Sequence, residues 1–334
     1  MDTKLNNESL LSSDLSLRAV KWTDIDAVAQ LIYDVCEASG DTTVAVTPEE
    51  LKIEWQDPGF NLETDAWLVE TNDDRVVGFE EFMNAATHTA LQTDGYVHPE
   101  FRGRGIGTAL LRATEERARK EMDLAEPGLR VSLKSSIDSH DETARALHEN
   151  EGYHTVRFFW RMEINLQGPP PAPLWPAGVE LRPFIKGKDD RSVWEADREA
   201  FLDHWENHPV SFEDWKHRKF SRTDFNPTLW MIAWHGDQIA GISENRYRMG
   251  IGWIGTLGVR RPWRKQGLGL ALLLHSFGEF YKRGKTTIGL GVDASNPTGA
   301  TRLYQKAGMR VASEFVTYEK ELRAGREPSN SQHE

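Results

Sequence analysis

The stretch VRRPWRKQGLGLALL, at residues 259–273, repeats the pattern of VHPEFRGRGIGTALL at residues 97–111. In both stretches an apolar run ends, a basic turn follows, and two glycines one residue apart open an apolar-periodic helix. Equivalent positions lie 162 residues apart, as Gly105 and Gly267 do. A glycine-rich turn at a helix N-terminus can hold phosphate, because free backbone N–H groups and the positive end of the helix dipole converge there. The sequence therefore predicts two phosphate-binding turns.

The composition is that of a globular protein larger than one ordinary domain. At 334 residues we expect two domains, and an apolar fraction of 39% supplies core material for both. A net charge of −12 argues against a nucleic-acid partner. The sequence contains no run of ~18–20 apolar residues of the kind that spans a bilayer, so we expect no membrane partner. The polar N-terminus and the single Cys36 are typical of a cytoplasmic protein.

A proline-rich segment divides the chain. Residues 167–178, QGPPPAPLWPAG, contain five prolines and cannot continue a helix or a central strand. We therefore expect an N-terminal domain at 1–166, a linker at 167–178, a C-terminal domain at 179–324 and a disordered tail at 325–334. Strand and helix signals recur in the same order in both halves, which indicates duplication of one α/β unit.

Two other nucleotide-binding motifs fit these residues poorly. A Rossmann fingerprint needs G-x-G-x-x-G, whereas both turns here read R-x-x-G-x-G and follow a mid-domain strand. The segment GEFYKRGKT, at residues 278–286, has five residues between its glycines where a P-loop has four. It also follows a helix and precedes a strand, which is the reverse of the P-loop context. We expect neither motif to be functional.

The strand–turn–helix with R-x-x-G-x-G resembles the acyl-CoA-binding motif of the GNAT superfamily of N-acyltransferases. A second motif strengthens the resemblance, because VDASNPTGATRLYQKAGM places Asn296 eight residues before Tyr304. The resemblance implies an α/β (α+β) fold of two tandem GNAT-like domains, each a mixed, mostly antiparallel sheet flanked by helices. This tandem order is similar to the mycothiol synthase architecture, which has its chemistry in the second domain. The resemblance also implies acetyl-CoA (coenzyme A) as the acyl donor.

The resemblance implies a coenzyme site at both turns. Glycines let the backbone approach a diphosphate, and the neighbouring cations add positive charge. In the family the preceding strand is bulged and splayed, so that it pairs with the pantetheine arm, and the N–H of Val259 would stabilise the thioester oxyanion. The implied contacts in the second domain are Leu257, Gly258, Val259, Arg264, Lys265, Gln266, Gly267, Leu268, Gly269 and Asn296. Those in the first domain are Val97, Arg102, Gly103, Arg104, Gly105, Ile106 and Gly107.

The first domain departs from the family pattern. By position, His148 replaces Tyr304 and His140 replaces Asn296. We expect an intact phosphate turn with compromised chemistry, so this degenerate domain either binds coenzyme A without turnover or has a structural role. Full activity is a third alternative, since a histidine can also donate a proton.

In the second domain the resemblance implies that Tyr304 protonates the departing thiolate. An alkylammonium, with a pKa of about 10.4, must lose a proton before it attacks. The strand at 253–259 lacks Asp and Glu, so Glu244 on the neighbouring strand is the candidate base; its alternative is an outward-facing strand carboxylate. His204 and His208 lack a third ligand, so we expect no metal.

The expected function is transfer of an acetyl group from acetyl-CoA to a primary amine of a small molecule, by direct attack in a ternary complex. One alternative is an acyl-CoA-binding sensor or scaffold without turnover. Another is acetylation of a cysteinyl-amine thiol precursor.

Overall fold

The computed structural model of the chain describes residues 10–57, 59–84, 88–205 and 210–327, which form two compact units. The first unit comprises the described residues up to Arg157 and those from Phe315 onward, and the second spans Phe158–Glu314. No helix in these described ranges has both the length and the apolar character needed to cross a bilayer.

The first half of the chain alternates strands and helices in the order expected. Its elements are β1 (Leu15–Ala19), α1 (Ile25–Ala38), α2 (Pro48–Glu54), α3 (Leu62–Asp65), β2 (Ala66–Thr71), β3 (Val76–Asn84), β4 (Ala90–Val97), α4 (Ile106–Met122), β5 (Val131–Asp138), α5 (Glu142–Asn150) and β6 (His154–Asn165). The second half follows with β7 (Val179–Pro183), α6 (Asp190–Ala200), α7 (Phe212–Phe220), β8 (Trp230–His235), β9 (Gln238–Arg248), β10 (Ile251–Val259), α8 (Leu268–Lys282), β11 (Thr287–Asp293), α9 (Ala300–Lys306) and β12 (Arg310–Arg323).

Both units have the same mixed sheet. The strand order is β1-β2-β3-β4-β5-β12 in the first unit and β7-β8-β9-β10-β11-β6 in the second. Only β4–β5 and β10–β11 are parallel among these pairs, and the others are antiparallel. A helix connects each parallel pair, as a crossover requires. The expected mostly antiparallel α/β architecture is confirmed.

The last strand of each unit comes from the other half of the sequence. Residues 315–323 of β12 pair with β5 and complete the first sheet. Residues 159–165 of β6 pair with β11 and complete the second sheet. The compact units therefore differ from the continuous division at 1–166 and 179–324. The physical reason is that the N–H and C=O groups along β5 and β11 take their partners from segments remote in sequence.

The first residues of the expected tail are ordered by backbone hydrogen bonds. The N–H of Arg326 donates to the carbonyl oxygen of Gly128 at 2.9 Å, and the N–H of Arg130 donates to the carbonyl of Arg326 at 2.8 Å. The disorder expected from residue 325 therefore does not hold at 325–327. Residues 328–334 of that tail lie outside the described residues.

Helices cover both faces of each sheet. In the second unit, α8 packs on β9 and β10 and buries Leu273, Phe277 and Phe280. This three-and-four spacing places the buried side chains on one helical stripe. Helix α6 packs on β9 and β10 as well. In the first unit, α4 and α1 have the corresponding positions on β3 and β4.

Candidate active site

The second glycine turn is open where it leads into α8. Gly267 is the N-cap residue of α8 with φ 88°, a left-handed conformation that glycine adopts without strain. A Cβ built on Gly267 would meet no atom within 4 Å. Lys265 is exposed, and its ammonium has no partner in the part of the chain that the structure describes. An anion could therefore approach the helix N-terminus from this side.

Arg264 has a structural role in the same turn. Its guanidinium donates to the carbonyl oxygens of Val259 (3.0 Å) and Ala200 (3.0 Å) and to Asp203 (2.7 Å). Arg261 also donates to Asp203, and the two arginines lower the pKa of that carboxyl to about 2. The positive charge that we expected Arg264 to offer a phosphate is thus compensated within the chain. Gln266 donates to the carbonyl of Pro262 at 3.0 Å.

The strand before this turn separates from its parallel neighbour. β10 pairs with β11 only over Gly252–Ile254, although β10 continues to Val259. Its register against β9 shifts between Ile254 and Thr256, which is a β-bulge at Gly255. Backbone groups of β10 beyond the bulge are therefore not paired with β11, and an extended ligand could add to this edge.

The splayed part of β10 has a different neighbour on each face. Gly258 lies against Ala200 of α6, since a Cβ built on it would lie 2.9 Å from the Ala200 side chain. Leu257 faces the other way and packs with Leu268 and Leu272 of α8. The glycine turn and α8 therefore lie on one face of the opening between β10 and β11, and α6 and α7 lie on the other face.

Glu244 is buried on the face covered by α6 and α7. Its residue is 4% exposed, so the outward-facing alternative is wrong. Lys219 Nζ, from α7, donates to Glu244 Oε2 at 2.5 Å and to Thr256 Oγ1 at 3.1 Å. Glu244 Oε1 is buried without a hydrogen-bond partner among the described residues. The carboxylate therefore lies beside the splayed strand with one oxygen unused.

Asp197 of α6 is the second carboxylate of this group. Trp215 Nε1 donates to its Oδ2 at 3.1 Å. Burial and the charge of Glu244 raise the pKa of Asp197 to about 6. Burial acts to lower the pKa of Lys219, but Glu244 and Asp197 outweigh it, so the pKa of the ammonium is raised. Lys219 is therefore cationic at neutral pH.

Tyr304 lies in the core beneath β11. It packs with Leu290, Val292 and Met309, and its hydroxyl has no hydrogen-bond partner in the described part of the chain. Burial raises the pKa of Tyr304 to about 12. The phenol therefore keeps its proton at neutral pH and can donate it in a hydrogen bond.

Asn296 makes local hydrogen bonds in the turn between β11 and α9. Its Oδ1 accepts from the N–H (2.8 Å) and hydroxyl (2.5 Å) of Thr298, and its Nδ2 lies 3.3 Å from His204 Nε2. Burial lowers the pKa of His204. His208 lies outside the described residues, and within them no cluster of His, Cys, Asp and Glu suits a metal ion.

The first glycine turn is partly covered by the N-terminal segment. Gly105 caps α4 with φ 80°, but a Cβ built on it would lie 2.5 Å from the carbonyl oxygen of Leu10. Arg104 donates to Asp14 (2.6 Å) and Ser12 (3.1 Å). Arg102 donates to Asp141 at 2.8 Å. Both cations of this turn are thus committed within the chain.

A cavity of about 200 Å³ continues from this first turn into the opening between β4 and β5. The parallel pairing of these strands ends at Thr93, although β4 continues to Val97. The cavity is lined by the turn residues Val97, Arg102, Gly103, Gly105, Ile106 and Gly107, and by Glu80, Tyr96, Ser135 and His148. The structure therefore gathers the expected first-turn residues, except Arg104, around one cavity.

His148 faces this cavity as a neutral imidazole. Its Nδ1 lies 2.7 Å from the carbonyl oxygen of Ala144 and so carries the proton, because a carbonyl only accepts. Burial lowers the pKa of His148, and Nε2 is buried with no partner among the described residues. His148 thus presents an acceptor where Tyr304 presents a donor. His140, in contrast, is exposed and lies 3.1 Å from Asp138.

Glu81 is the first unit's counterpart of Glu244. Glu81 pairs with Asp94 three residues before Val97, as Glu244 pairs with Thr256 three residues before Val259. No lysine contacts Glu81 in the described ranges; its hydrogen-bond donor is Trp55 Nε1 at 3.3 Å. Burial, with the nearby charges of Asp94 and Glu54, raises the pKa of Glu81 to about 8. This carboxyl is therefore protonated at neutral pH and cannot act there as a base.

Sequence reasoning missed Asp197, Lys219 and Thr256 around Glu244. Lys219 lies in FEDWKHRKF, an ordinary amphipathic surface pattern, and is 25 residues from Glu244. Only the packing of α7 on the sheet selects this lysine from its cationic neighbours. A signal was available for Thr256, because it follows Gly255 in a strand, and glycine in a strand often marks a bulge.

Comparisons with known proteins agree with this geometry. Residues 63–155 match a family model described as an acetyltransferase (GNAT) domain, and residues 191–309 match one described as the acetyltransferase (GNAT) family. A mycothiol acetyltransferase of Thermobispora bispora is 32% identical over 229 residues, which cover 66% of this chain and 73% of that protein.

Solved structures are also similar to this chain. A GCN5-related N-acetyltransferase from Sphaerobacter thermophilus has a TM-score of 0.81 and 39% identity, covering 95% of this chain and 99% of that one. A tandem GNAT protein from the clavulanic acid biosynthesis pathway has a TM-score of 0.72 at 18% identity, covering 93% and 99%. At 18% identity, the similarity to the tandem GNAT protein shows a common fold.

Proposed function

Since this chain belongs to the GNAT family of acetyltransferases and its acyl donor is acetyl-CoA, we propose that the second unit transfers the acetyl group to a primary amine of a small molecule. One observation carries the proposal: Glu244, ion-paired to Lys219 and with one oxygen unused, lies beside the splayed strand β10. The open turn at Gly267 leads to the other face of the same opening.

The acyl donor fits the second unit as an extended anionic ligand. Its diphosphate would lie at Gly267 and Gly269, with Lys265 as the unpaired cation. Its pantetheine arm would add to the free edge of β10 from Gly255 to Val259. Asn296 would contact the arm only after its amide leaves His204, whereas Arg264 would hold the turn in shape.

The chain's residues would act on an amine that attacks the thioester directly. Glu244 would accept a proton from the ammonium, whose pKa near 10.4 keeps it unreactive otherwise. The amine nitrogen then forms a bond to the carbonyl carbon, and the carbon–sulfur bond breaks. Backbone N–H groups near Val259 would stabilise the oxyanion, and Tyr304 would donate its proton toward the departing sulfur. The nitrogen would lose its second proton, which returns Tyr304 to the phenol, and the proton on Glu244 would pass to solvent. The products are an amide, free coenzyme A thiol and one proton.

The similarity to mycothiol acetyltransferases favours a mycothiol-related acceptor within this class. A cysteinyl-amine thiol precursor is therefore the second candidate acceptor, beside other small primary amines. A binding-only role is not favoured, since the relatives are named as acetyltransferases.

Release of free thiol tests the proposed function. The full chain would be incubated with acetyl-CoA and a panel of small amines that includes a cysteinyl amine, and coenzyme A thiol would be followed with a thiol reagent after subtraction of the acceptor's own thiol. We expect multiple turnovers with at least one amine. Stoichiometric binding of acetyl-CoA with no release for any amine would contradict the proposal.

A further inference from the structure

Two carboxylates and one ammonium meet on the α6–α7 side of the second unit. Glu244 and Asp197 supply the carboxylates, and Lys219 supplies the ammonium. Lys219 contacts only Glu244 and Thr256 within the described residues. Asp197 has one donor there, the indole N–H of Trp215. The group therefore has an excess negative charge when all three side chains are ionised.

No further cation donates to Glu244 or Asp197 within the described residues. Arg222, a further cation near Lys219, donates twice to Asp224, at 2.8 and 3.2 Å. Arg246 also donates to Asp224, at 3.3 Å. Burying a carboxylate in a low-dielectric environment has a large free-energy cost unless a cation or hydrogen-bond donors compensate its charge. The unused Oε1 of Glu244 is the acceptor that still needs a donor.

The two carboxylates differ in accessibility, so an entering cation would meet one of them before the other. Glu244 is 4% exposed, whereas Asp197 is only partly buried. Asp197 lies one helical turn before Ala200, the residue that contacts Gly258 at the splayed strand. A cation entering along α6 would therefore reach Asp197 first and Glu244 second, next to the backbone where the thioester would lie.

The first unit supports this interpretation by contrast. Its counterpart carboxyl, Glu81, is also buried but has a tryptophan donor in place of a lysine. Burial raises the pKa of Glu81 to about 8. A lysine partner at Glu244 and a tryptophan partner at Glu81 therefore distinguish the two positions.

We propose that Asp197 and Glu244 form the recognition site for the acceptor's ammonium group and that Lys219 is the positioning residue that holds the Glu244 side chain in place and directs its free oxygen to the acceptor. The acceptor class is then an aliphatic amine that is cationic in solution, and weakly basic aromatic amines are poor acceptors. This inference rests on the proposed function. The donor of the hydrogen bond to Glu244 Oε1 is the substrate N–H, which completes the charge balance of the group.

The decisive variants are Asp197→Asn and Lys219→Met, measured with two acceptors. Asparagine keeps the shape and an oxygen for Trp215 but removes the charge. One acceptor is an aliphatic amine, cationic at pH 7, and the other is an aromatic amine of similar size, neutral at pH 7. A hydrogen bond to a charged group is worth about 1.5–3 kcal/mol, so we expect Asp197→Asn to raise KM for the aliphatic amine roughly 10-fold or more. KM for the aromatic amine and for acetyl-CoA should change little.

Lys219→Met should lower kcat with the aliphatic amine by at least about 10-fold, and Lys219→Arg should restore most of it. Glu195→Gln is the matched control, because Glu195 lies on the same helix and is exposed. It should leave all constants unchanged. Equal losses of kcat/KM with both acceptors would overturn the proposal in favour of a structural ion pair. So would losses of kcat/KM that are explained by lower thermal stability alone.

The unsubstituted protein provides a test that does not depend on folding of variants. A trialkylammonium ion, which keeps one N–H but cannot be converted to an amide, and its neutral hydrocarbon isostere would be compared as competitors against the aliphatic amine. We expect the cation to compete at least about 10-fold better than the neutral isostere; equal competition would overturn the proposal. If the protein acetylates no amine at all, the proposed function fails, which is a different outcome from equal competition in an active enzyme.

Discussion

Three buried carboxyl groups of the first unit show how environment changes the chemistry of one residue type. Burial raises the pKa of Glu80 to about 8, more than the 2.6 Å hydrogen bond from Thr93 lowers it. Burial also raises the pKa of Glu81 to about 8 and that of Asp94 to about 6. At neutral pH the folded unit therefore holds protons that the unfolded chain, with pKa values near 4, has lost.

This difference predicts a pH dependence of stability with an unusual sign. Because the folded state binds more protons between about pH 4.5 and 8, its stability should fall as pH rises through that window. Each such proton contributes a slope of about 1.4 kcal/mol per pH unit. Glu80→Gln should reduce the slope, as measured by hydrogen exchange of peptides from β3 at pH 5.5 and 8. A slope that is unchanged in the variant would contradict the assignment.

Tyr304 provides a second prediction at the level of one residue. Tyr304 is 7% exposed and its hydroxyl has no hydrogen-bond partner among the described residues, so Tyr304→Phe removes a donor without leaving a partner unsatisfied. A positioned general acid contributes about 10²–10⁴-fold, so we expect kcat to fall about 100-fold with little change in KM for acetyl-CoA. Steady-state kinetics of thiol release measure this. An unchanged kcat would remove Tyr304 from the mechanism.

At the scale of elements, the two strand–turn–helix segments have diverged in what surrounds them. Both glycine N-caps are left-handed, at φ 80° for Gly105 and 88° for Gly267. The turn at Gly267 is open, whereas the carbonyl of Leu10 lies against Gly105. The opening beside each parallel strand pair is common to both units. The same local pattern therefore leads to two glycine turns that differ in accessibility.

Alanine substitution of the two N-cap glycines separates their contributions to catalysis. Alanine in a left-handed conformation is strained by roughly 1–2 kcal/mol, so the turn should distort. Gly267→Ala should raise KM for acetyl-CoA about 10-fold, since this turn belongs to the proposed catalytic unit. Gly105→Ala is the matched control and should leave the kinetic constants of thiol release unchanged. The reverse pattern would assign catalysis to the first unit.

At the scale of the whole molecule, the exchanged strands couple each unit to the far half of the sequence. Val316 and Tyr318 of β12 belong to the first unit's core, with Val131 and Leu133 of β5. Tyr318 is 2% exposed. Neither unit's sheet is complete without a strand from the other half. A cut at the proline-rich segment would therefore separate each sheet from its last strand.

Tyr318→Ala tests this exchange against the continuous division. Removal of a large buried ring costs roughly 3–5 kcal/mol, and the loss should be local to the first unit. We expect hydrogen exchange to increase in β5 while β11 keeps its protection. Val311→Ala is the control, because Val311 lies on the same strand but is 41% exposed. Increased exchange in β11 with β5 unaffected would contradict the pairing.

Local signals were sufficient for most elements and for the position of the turns. Thr47 illustrates this: its capping box with Glu50 begins α2, with the two reciprocal hydrogen bonds that its sequence predicts. The acetyl-CoA-dependent acetyltransferase function and the mixed sheet are confirmed, since they follow from motifs a few residues long. The roles of Arg264 and Asn296 were harder to predict. Their partners Asp203 and His204 lie 61 and 92 residues away.

The sequence by itself determined the repeated α/β order, the position of the two glycine turns and acetyl-CoA as the acyl donor, because each depends on residues that are near neighbours in the chain. Only the tertiary structure decided which strand closes each sheet, which lysine meets Glu244, and which of the two turns is left open. Those outcomes depend on backbone edges and buried charges that take partners from anywhere in the chain. A backbone group or charge that is buried without a partner raises the free energy of the folded state, and this effect arises only when folding removes the group from water.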